Sequence, residues 1–494
     1  MTLAFHFECL KNGEILSFLL QNLARNLPHA IEQNGENITL FVSGEEGELG
    51  SFADHLAKNL PFSVFVKESK VLAAKDLPAG SQNTQNLSLN NITPSQIEKF
   101  LRDLEPCENE FSVLSDICVS DQSVNSKNFS ALLEECVSKI KGGQRLNLKD
   151  KSCEYELKAF ENFKDIHFAI PTNLKALRKI FVADERSQIT LASFEKPIIS
   201  LKTNSIYRQN HPQTPSFFDV KAAKDLFIYA LGMKLSQLGV NFLGVKILKQ
   251  KEPLLKLVQL ENSSVALNDF SYFKMADSEI LGDGGLNLEI SLCKFSDDKI
   301  NLARKNDKTS VLFVPKFSNF SEIYSEISKD EGGAKLLESY RLAYGLPEGD
   351  IPGRESFFSL LCVAGRIFGF SDDFLKSGEI LLANAMDFNG AKGVRIDCKM
   401  KSKLEFDAVK FIKSGMSFYL AGAGERNISF GYIESMAYFL SDFSFELRDE
   451  FGVQNVLLGG SLFECKTASN LIKKHLNPNI KTKFDIGFGI EVFV

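Results

Sequence analysis

Val456-Leu-Leu-Gly-Gly-Ser-Leu-Phe463 reads as a short buried strand running into a glycine turn and then the start of a helix. A helix N-terminus presents free N–H groups and the positive end of its dipole, and glycines let backbone approach an anion closely. Gly459 and Gly460 are therefore candidate phosphate-binding residues. The plainer alternative is a tight strand–helix turn that needs glycine only for packing, and the sequence leaves both open. The next residues, Glu464-Cys465, put a carboxylate beside that turn, which is unfavourable for a bound phosphate unless a metal intervenes. Upstream, Ile428 to Leu440 and Phe357 to Phe370 read as buried helices. Lys376-Ser-Gly-Glu379 is expected at the start of a helix running to Met386, with Ser377 as its cap and Gly378 leaving room for a ligand. Gly378 and Glu379 join the candidate ligand-binding residues. Asp283-Gly284-Gly285, without a basic or hydroxyl neighbour, reads as a plain turn.

A chain of 494 residues has room for roughly three domains. With 44% hydrophobic and 24% charged residues it reads as globular, not disordered. A net charge of −6 lacks the basic footprint of a nucleic-acid binder. No run approaches the roughly 20 apolar residues that span a bilayer, and Met1 to Leu20 does not read as a signal peptide, so membrane insertion is not expected and cytoplasm is the expected location. The nine cysteines show no C-x-x-C pair, and none of the six histidines lies within five residues of another. That scatter argues against a disulfide framework and against a structural zinc site. The 43 phenylalanines, with no tryptophan, read as core filling.

Ahead of the glycine turn the chain divides by pattern. Leu3 to Cys9 alternates as a half-buried strand, and Ile15 to Leu27 has helical spacing stopped by Pro28. Strands follow at His29 to Glu32 and Ile38 to Val42 around the turn Asn34-Gly35-Glu36-Asn37, then a helix from Glu48 to Leu60 and a last strand Phe62 to Val66. The order βαββαβ implies helices on one face of an antiparallel sheet. Asn83 to Asn91 has no periodicity and reads as linker, followed by a short helix from Glu98 to Leu104. Asn128 to Lys141 is an amphipathic helix ended by Gly142-Gly143.

Taken in order, these segments resemble the HypF proteins, carbamoyltransferases of [NiFe]-hydrogenase maturation. The βαββαβ order and Asn22-Leu-Ala-Arg-Asn26 resemble their acylphosphatase-like module. In that family a glycine-rich loop ending in arginine cradles a phosphate. Here the arginine position reads Ser17, Glu14 adds negative charge, and the family asparagine falls near Gln33 or Asn34. An anion cradle without its guanidinium loses most of its charge-assisted bonding, so the module is expected to keep its fold without acylphosphatase chemistry. The family's zinc module has no counterpart around Cys107 and Cys118. The helix, glycine turn and strand after Asn128, with Phe194 to Leu201 and Gln237-Leu-Gly-Val240, resemble a YrdC-like domain, with Lys196 at a family arginine. Its glycine-rich phosphate stretch corresponds to Leu146 to Cys153, which has no glycine, and its basic cluster shrinks to Lys175, Arg178 and Lys179. Val456 to Phe463 resembles the strand–glycine–helix turn of the family's actin/hexokinase-like carbamoyltransferase domain, and Phe484-Asp-Ile-Gly-Phe-Gly-Ile490 corresponds to its last nucleotide turn. The resemblance thus implies nucleotide binding at Gly378, Glu379, Gly459, Gly460 and Asp485.

The resemblance implies a mixed α/β and α+β multidomain chain: an acylphosphatase-like domain over 1–82, a linker over 83–127 replacing the zinc module, a YrdC-like domain over 128–275 and a carbamoyltransferase-like domain over 276–494. It implies ATP with Mg²⁺ as the ligand, no zinc, and a hydrogenase maturation protein or hydrogenase subunit as partner. With most reactive groups replaced, a shortened and diverged HypF-type accessory protein with impaired catalysis is expected, acting through partner binding or residual nucleotide binding. The alternative is an active ATP-dependent carbamoyltransferase using carbamoyl phosphate to supply the cyanide-ligand precursor of the [NiFe] site. A structural protein unrelated to that family is the third possibility.

Overall fold

The alternation at the N-terminus gives the strand Thr2–Cys9, whose Phe5, Phe7 and Cys9 are buried. A computed structural model describes residues 1–79, 87–268, 285–304, 307–476, 478–484 and 489–492. Two units separate by their internal contacts, the first formed chiefly by Met1–Leu257 and the second chiefly by Val265–Glu491. The fold is mixed α/β throughout.

In the first unit, an antiparallel sheet runs in the order His29–Asn34, Asn37–Ser43, Thr2–Cys9, Val66–Ala74. The helices Gly13–Ala24 and Glu46–Asn59 bury Leu16, Leu19 and Leu20, and Leu49, Phe52 and Leu56. Phe5 and Phe52 meet edge to face at 5.5 Å. The second helix opens with a capping box in which Glu45 and Glu48 satisfy each other's backbone N–H groups. The last strand begins where it was expected to end. Phe62 to Phe65 is not a strand: Val64 and Phe65 are buried plugs, and Phe194 N–H donates to the Phe62 carbonyl at 2.7 Å. Glu195 fixes this corner, accepting from Ser63 Oγ at 2.5 Å and from Val64 N–H at 3.1 Å. Burial holds the Glu195 carboxyl above the ordinary range in spite of those bonds.

The larger sheet of this unit runs Leu255–Gln259, Ile198–Thr203, Phe217–Val220, Phe168–Pro171, Phe242–Gln250, Cys153–Ala159, Leu146–Lys149, Cys118–Val119, Gln122–Ser123. Helices Phe129–Lys141 and Leu226–Gln237 cover one face, with Phe129 and Phe227 edge to face at 5.4 Å. Gly143, at φ +73, ends the first of these helices as expected. Within residues 83–127 the short helix expected over Glu98 to Leu104 runs instead over Pro94–Asp103, capped by Thr93 with proline in its first turn. Phe100 and Val119 lie in the same apolar core as Leu132 and Leu157.

The second unit has a five-stranded sheet in the order Asp307–Leu312, Lys299–Arg304, Asn287–Ser291, Asn455–Gly459, Lys481–Phe484. The first two pairings are antiparallel and the last two parallel. Around it lie the buried helix Phe357–Ile367, the helices Phe374–Met386 and Ala408–Leu420, and the 27-residue helix Glu425–Phe451. An extended stretch from Gly393 to Asp397 crosses the long helix without strand partners. Its N–H groups are taken by side chains instead: Gly393 by Glu434, Val394 by Asn427 and Ile396 by Ser435.

Candidate functional site

Parallel pairing sets the site. Asn287–Ser291 and Asn455–Gly459 lie side by side, with Ser291 opposite Gly459 at their ends. Both chains then turn, and the two turns interlock. Leu292 N–H donates to the Gly459 carbonyl at 2.8 Å, and Leu462 N–H returns a bond to the Leu292 carbonyl at 3.0 Å. Gly460 sits at φ +101, ψ 151, a region open essentially to glycine alone. A Cβ there would lie 2.0 Å from the Leu292 carbonyl oxygen. The glycine is therefore demanded by the neighbouring backbone, as the tight-turn reading holds. Ser461 opens a short 3-10 turn to Glu464, followed by the helix Lys466–His475.

Lys294, two residues past Leu292, closes over this turn. Its backbone N–H donates to Ser461 Oγ at 2.9 Å. Its ammonium lies 3.1 Å from Glu379 Oε1 and 3.4 Å from Glu464 Oε2. The Lys294 and Glu464 side chains are 9% and 10% exposed, whereas Glu379 is about half exposed at 47%. One cation thus stands between two carboxylates at the glycine turn. The neighbouring thiols of Cys362 and Cys465 are pushed up by burial and stay protonated at neutral pH. The Cys293 thiol is likewise raised by burial, against the Ser461 backbone N–H that faces it. Asp298 accepts from Cys293 N–H at 2.6 Å and from Phe357 N–H, at the start of a helix, at 2.7 Å. Burial outweighs these bonds and lifts its carboxyl to about 8.

The structure thus brings Glu379, Gly459 and Gly460 into one neighbourhood through Lys294. Gly378 adjoins Glu379 but faces inward. Asp485 lies outside the described residues, as do Asp283 and Gly284. Lys294 escapes sequence reading because a single lysine after an apolar strand carries no spacing signal. Its two partners are 85 residues apart (464 − 379).

The Ser377–Gly378 reading is corrected. The helix begins at Phe374, capped by Asp373, whose side chain accepts from Lys376 N–H. Ser377 is instead buried and donates back to the Cys362 and Phe374 carbonyls. A Cβ on Gly378 would lie 2.4 Å from Cys362 Sγ and 3.0 Å from the Phe358 ring, and one on Gly365 would lie 2.5 Å from the Ser377 carbonyl. The two glycines let helices Phe357–Ile367 and Phe374–Met386 approach closely, so the room expected for a ligand is filled by protein. Gly378→Ala is expected to cost about 2 kcal/mol by overpacking. Adding Cys362→Ala should recover part of that loss in urea melts, and no recovery would mean the contact does not set the cost.

At the N-terminal module, the positions where the resemblance would put an anion cradle meet each other. Ser17 Oγ donates to Gln33 Oε1 at 3.2 Å, and Gln33 Nε2 lies 2.8 Å from where a Gly13 Cβ would be. Lys175, Arg178 and Lys179 lie on the 3-10 helix Leu174–Lys179. Lys196 is buried, and its ammonium donates to the Ala192 and Ser193 carbonyls. Among the described residues no group of three or more His, Cys, Asp or Glu side chains is arranged to hold a metal ion, and no helix is long and apolar enough to cross a membrane.

No protein-family model matches the chain. A Wolinella succinogenes protein named Protein HydE is 23% identical over 502 residues, covering 90% of each chain. Two solved structures are similar along nearly the whole length. Full-length HypF in its phosphate- and nucleotide-bound form aligns with a TM-score of 0.54 at 10% identity, covering 97% of this chain and 95% of that one. HypF of T. kodakarensis aligns with a TM-score of 0.56 at 10% identity, covering 98% and 95%. The chain therefore has a HypF-like fold.

Proposed function

We propose that this protein is an accessory factor of hydrogenase maturation, built on a HypF-type scaffold whose nucleotide and phosphate sites no longer take their ligands. It acts by binding a maturation protein or a hydrogenase subunit. The observation that carries this reading is Lys294, held between Glu379 and Glu464 at the glycine turn. A triphosphate entering there meets two carboxylates and one cation already neutralised by them. Two of the turn's own donors are also engaged: Leu462 N–H on the Leu292 carbonyl and Phe463 N–H on the Gly460 carbonyl. The Lys294 ammonium also occupies the carboxylates that a Mg²⁺ would need, so these residues do not fit ATP with Mg²⁺. The Ser17–Gln33 contact, in place of a cationic cradle, supports the same reading at the N-terminal module.

Two measurements test it. A ligand at about 100 times its Kd adds about 2.7 kcal/mol of stability, or roughly 5 °C or more in Tm for a domain of this size. With millimolar ATP–Mg²⁺ no such shift is expected. A shift of that size, or AMP–PPi exchange dependent on carbamoyl phosphate, would instead establish the active carbamoyltransferase. Pull-down from native extract, read by mass spectrometry, is expected to recover a hydrogenase maturation protein or hydrogenase subunit.

A further inference from the structure

The first unit holds a cavity of about 180 Å³ on its larger sheet, beside the start of the helix Leu226–Gln237. Its walls are apolar, with Tyr155, Phe168, Ile170, Ile228 and Val245. Two lysines, Lys221 and Lys224, also line it, with the carboxylates of Asp150, Glu195 and Asp225. The carboxylates are committed to donors of the fold. Asp150 accepts from Ser152 and Cys153 N–H, Glu195 from Ser63 and Val64, and Asp225 from Ile228 N–H at 3.0 Å and Ser115 Oγ at 2.5 Å. The ammonium groups are not. Among the described residues Lys221 Nζ donates only to the Lys196 carbonyl, Lys224 Nζ donates to nothing, and neither forms an ion pair; Asp150 faces Lys221, and Asp116 and Asp225 face Lys224, only through space. Cavities left by packing alone are apolar and dry, and amines at one without an anion in contact are costly.

We infer that this cavity binds a small organic carboxylate, its apolar body against Tyr155, Phe168 and Val245 and its carboxylate between the Lys221 and Lys224 ammonium groups. The size fits: an apolar cavity of about 150 Å³ takes up benzene. This site is independent of the glycine turn and of the reading given to it.

The protonation of Lys221 supplies a second readout. Burial lowers its amine to about 7, Lys224 and Lys196 add to that, and Asp150 and Cys153 oppose it. Burial raises the Asp225 carboxyl to about 7, while Asp116 and Lys224 act on it in opposite directions. Above pH 7 Lys221 loses its charge and Asp225 gains one, so both changes weaken anion binding. Binding at pH 8 must therefore draw a proton onto the protein.

Benzoate is the probe, with benzamide as its neutral isostere and orthophosphate as an anion lacking the apolar body. Calorimetric titration of the full chain is expected to give saturable benzoate binding. The heat should vary with buffer ionisation enthalpy as proton uptake requires, and affinity should fall from pH 6.5 to 8.5. Lys221→Met and Lys224→Met, each checked by circular dichroism, should weaken binding about tenfold, one charge–charge contact's worth. Lys221→Arg, if folded, should bind with a flatter pH profile. Absence of saturable benzoate binding to the parent chain would overturn the site. So would benzamide binding as tightly, orthophosphate displacing benzoate, or the absence of proton uptake at pH 8.

Discussion

Gly460→Ala is expected to destabilise the second unit by about 4 kcal/mol or more, enough to leave much of it unfolded at 37 °C. Two costs combine. At φ +101 and ψ 151 an alanine is strained by about 1–3 kcal/mol. Its methyl would also lie 2.0 Å from the Leu292 carbonyl oxygen, which is itself pinned by Leu462 N–H and cannot withdraw without opening that bond. Gly452 isolates the second cost. It ends the long helix at φ +74 with nothing within 4 Å of a Cβ, so Gly452→Ala should cost only about 1 kcal/mol. Urea titrations of the two variants are the measurement. Losses within a kilocalorie of one another would mean that the Leu292 approach is not what requires glycine at 460.

Lys294→Met is expected to cost about 3–5 kcal/mol, because it removes the ammonium that faces the Glu464 carboxylate, 10% exposed. Lys294→Met with Glu464→Gln should recover more than half, since a neutral pair of similar volume carries no such penalty. A loss under about 1 kcal/mol would mean the ion pair is too well solvated to organise the turn.

Much of the fold is legible in the residue pattern, and the failures have physical causes. The strand before Gly459 and the helices Phe129–Lys141 and Phe357–Ile367 follow from apolar spacing, because each buries a face or a whole circumference. Phe62 to Phe65 misleads because its apolar side chains serve a corner, while the actual edge strand Val66–Ala74 is exposed along almost its length and shows no alternation. The cap at Ser377 fails because Asp373, as good a cap, stands one turn earlier, and the close approach of Gly378 to Cys362 decides between them. Of the candidate site, the glycines were readable from strand–turn–helix order. Lys294 was not, because its meaning lies in two distant carboxylates that only the tertiary fold assembles.

The corner held by Glu195 bears on how the chain is made. Domains emerging from the ribosome generally fold N-terminal first, at about 5–20 residues per second. Here the amide of Val64 waits for an acceptor 131 positions later in the chain. The N-terminal sandwich can pair its strands as soon as Val66–Ala74 has been translated, but its corner stays in water until Phe194 and Glu195 arrive, some seconds afterwards at that rate. A nascent chain stalled before residue 195 should therefore carry a folded sheet with a protease-sensitive loop around Phe62, and one stalled well beyond that point should not.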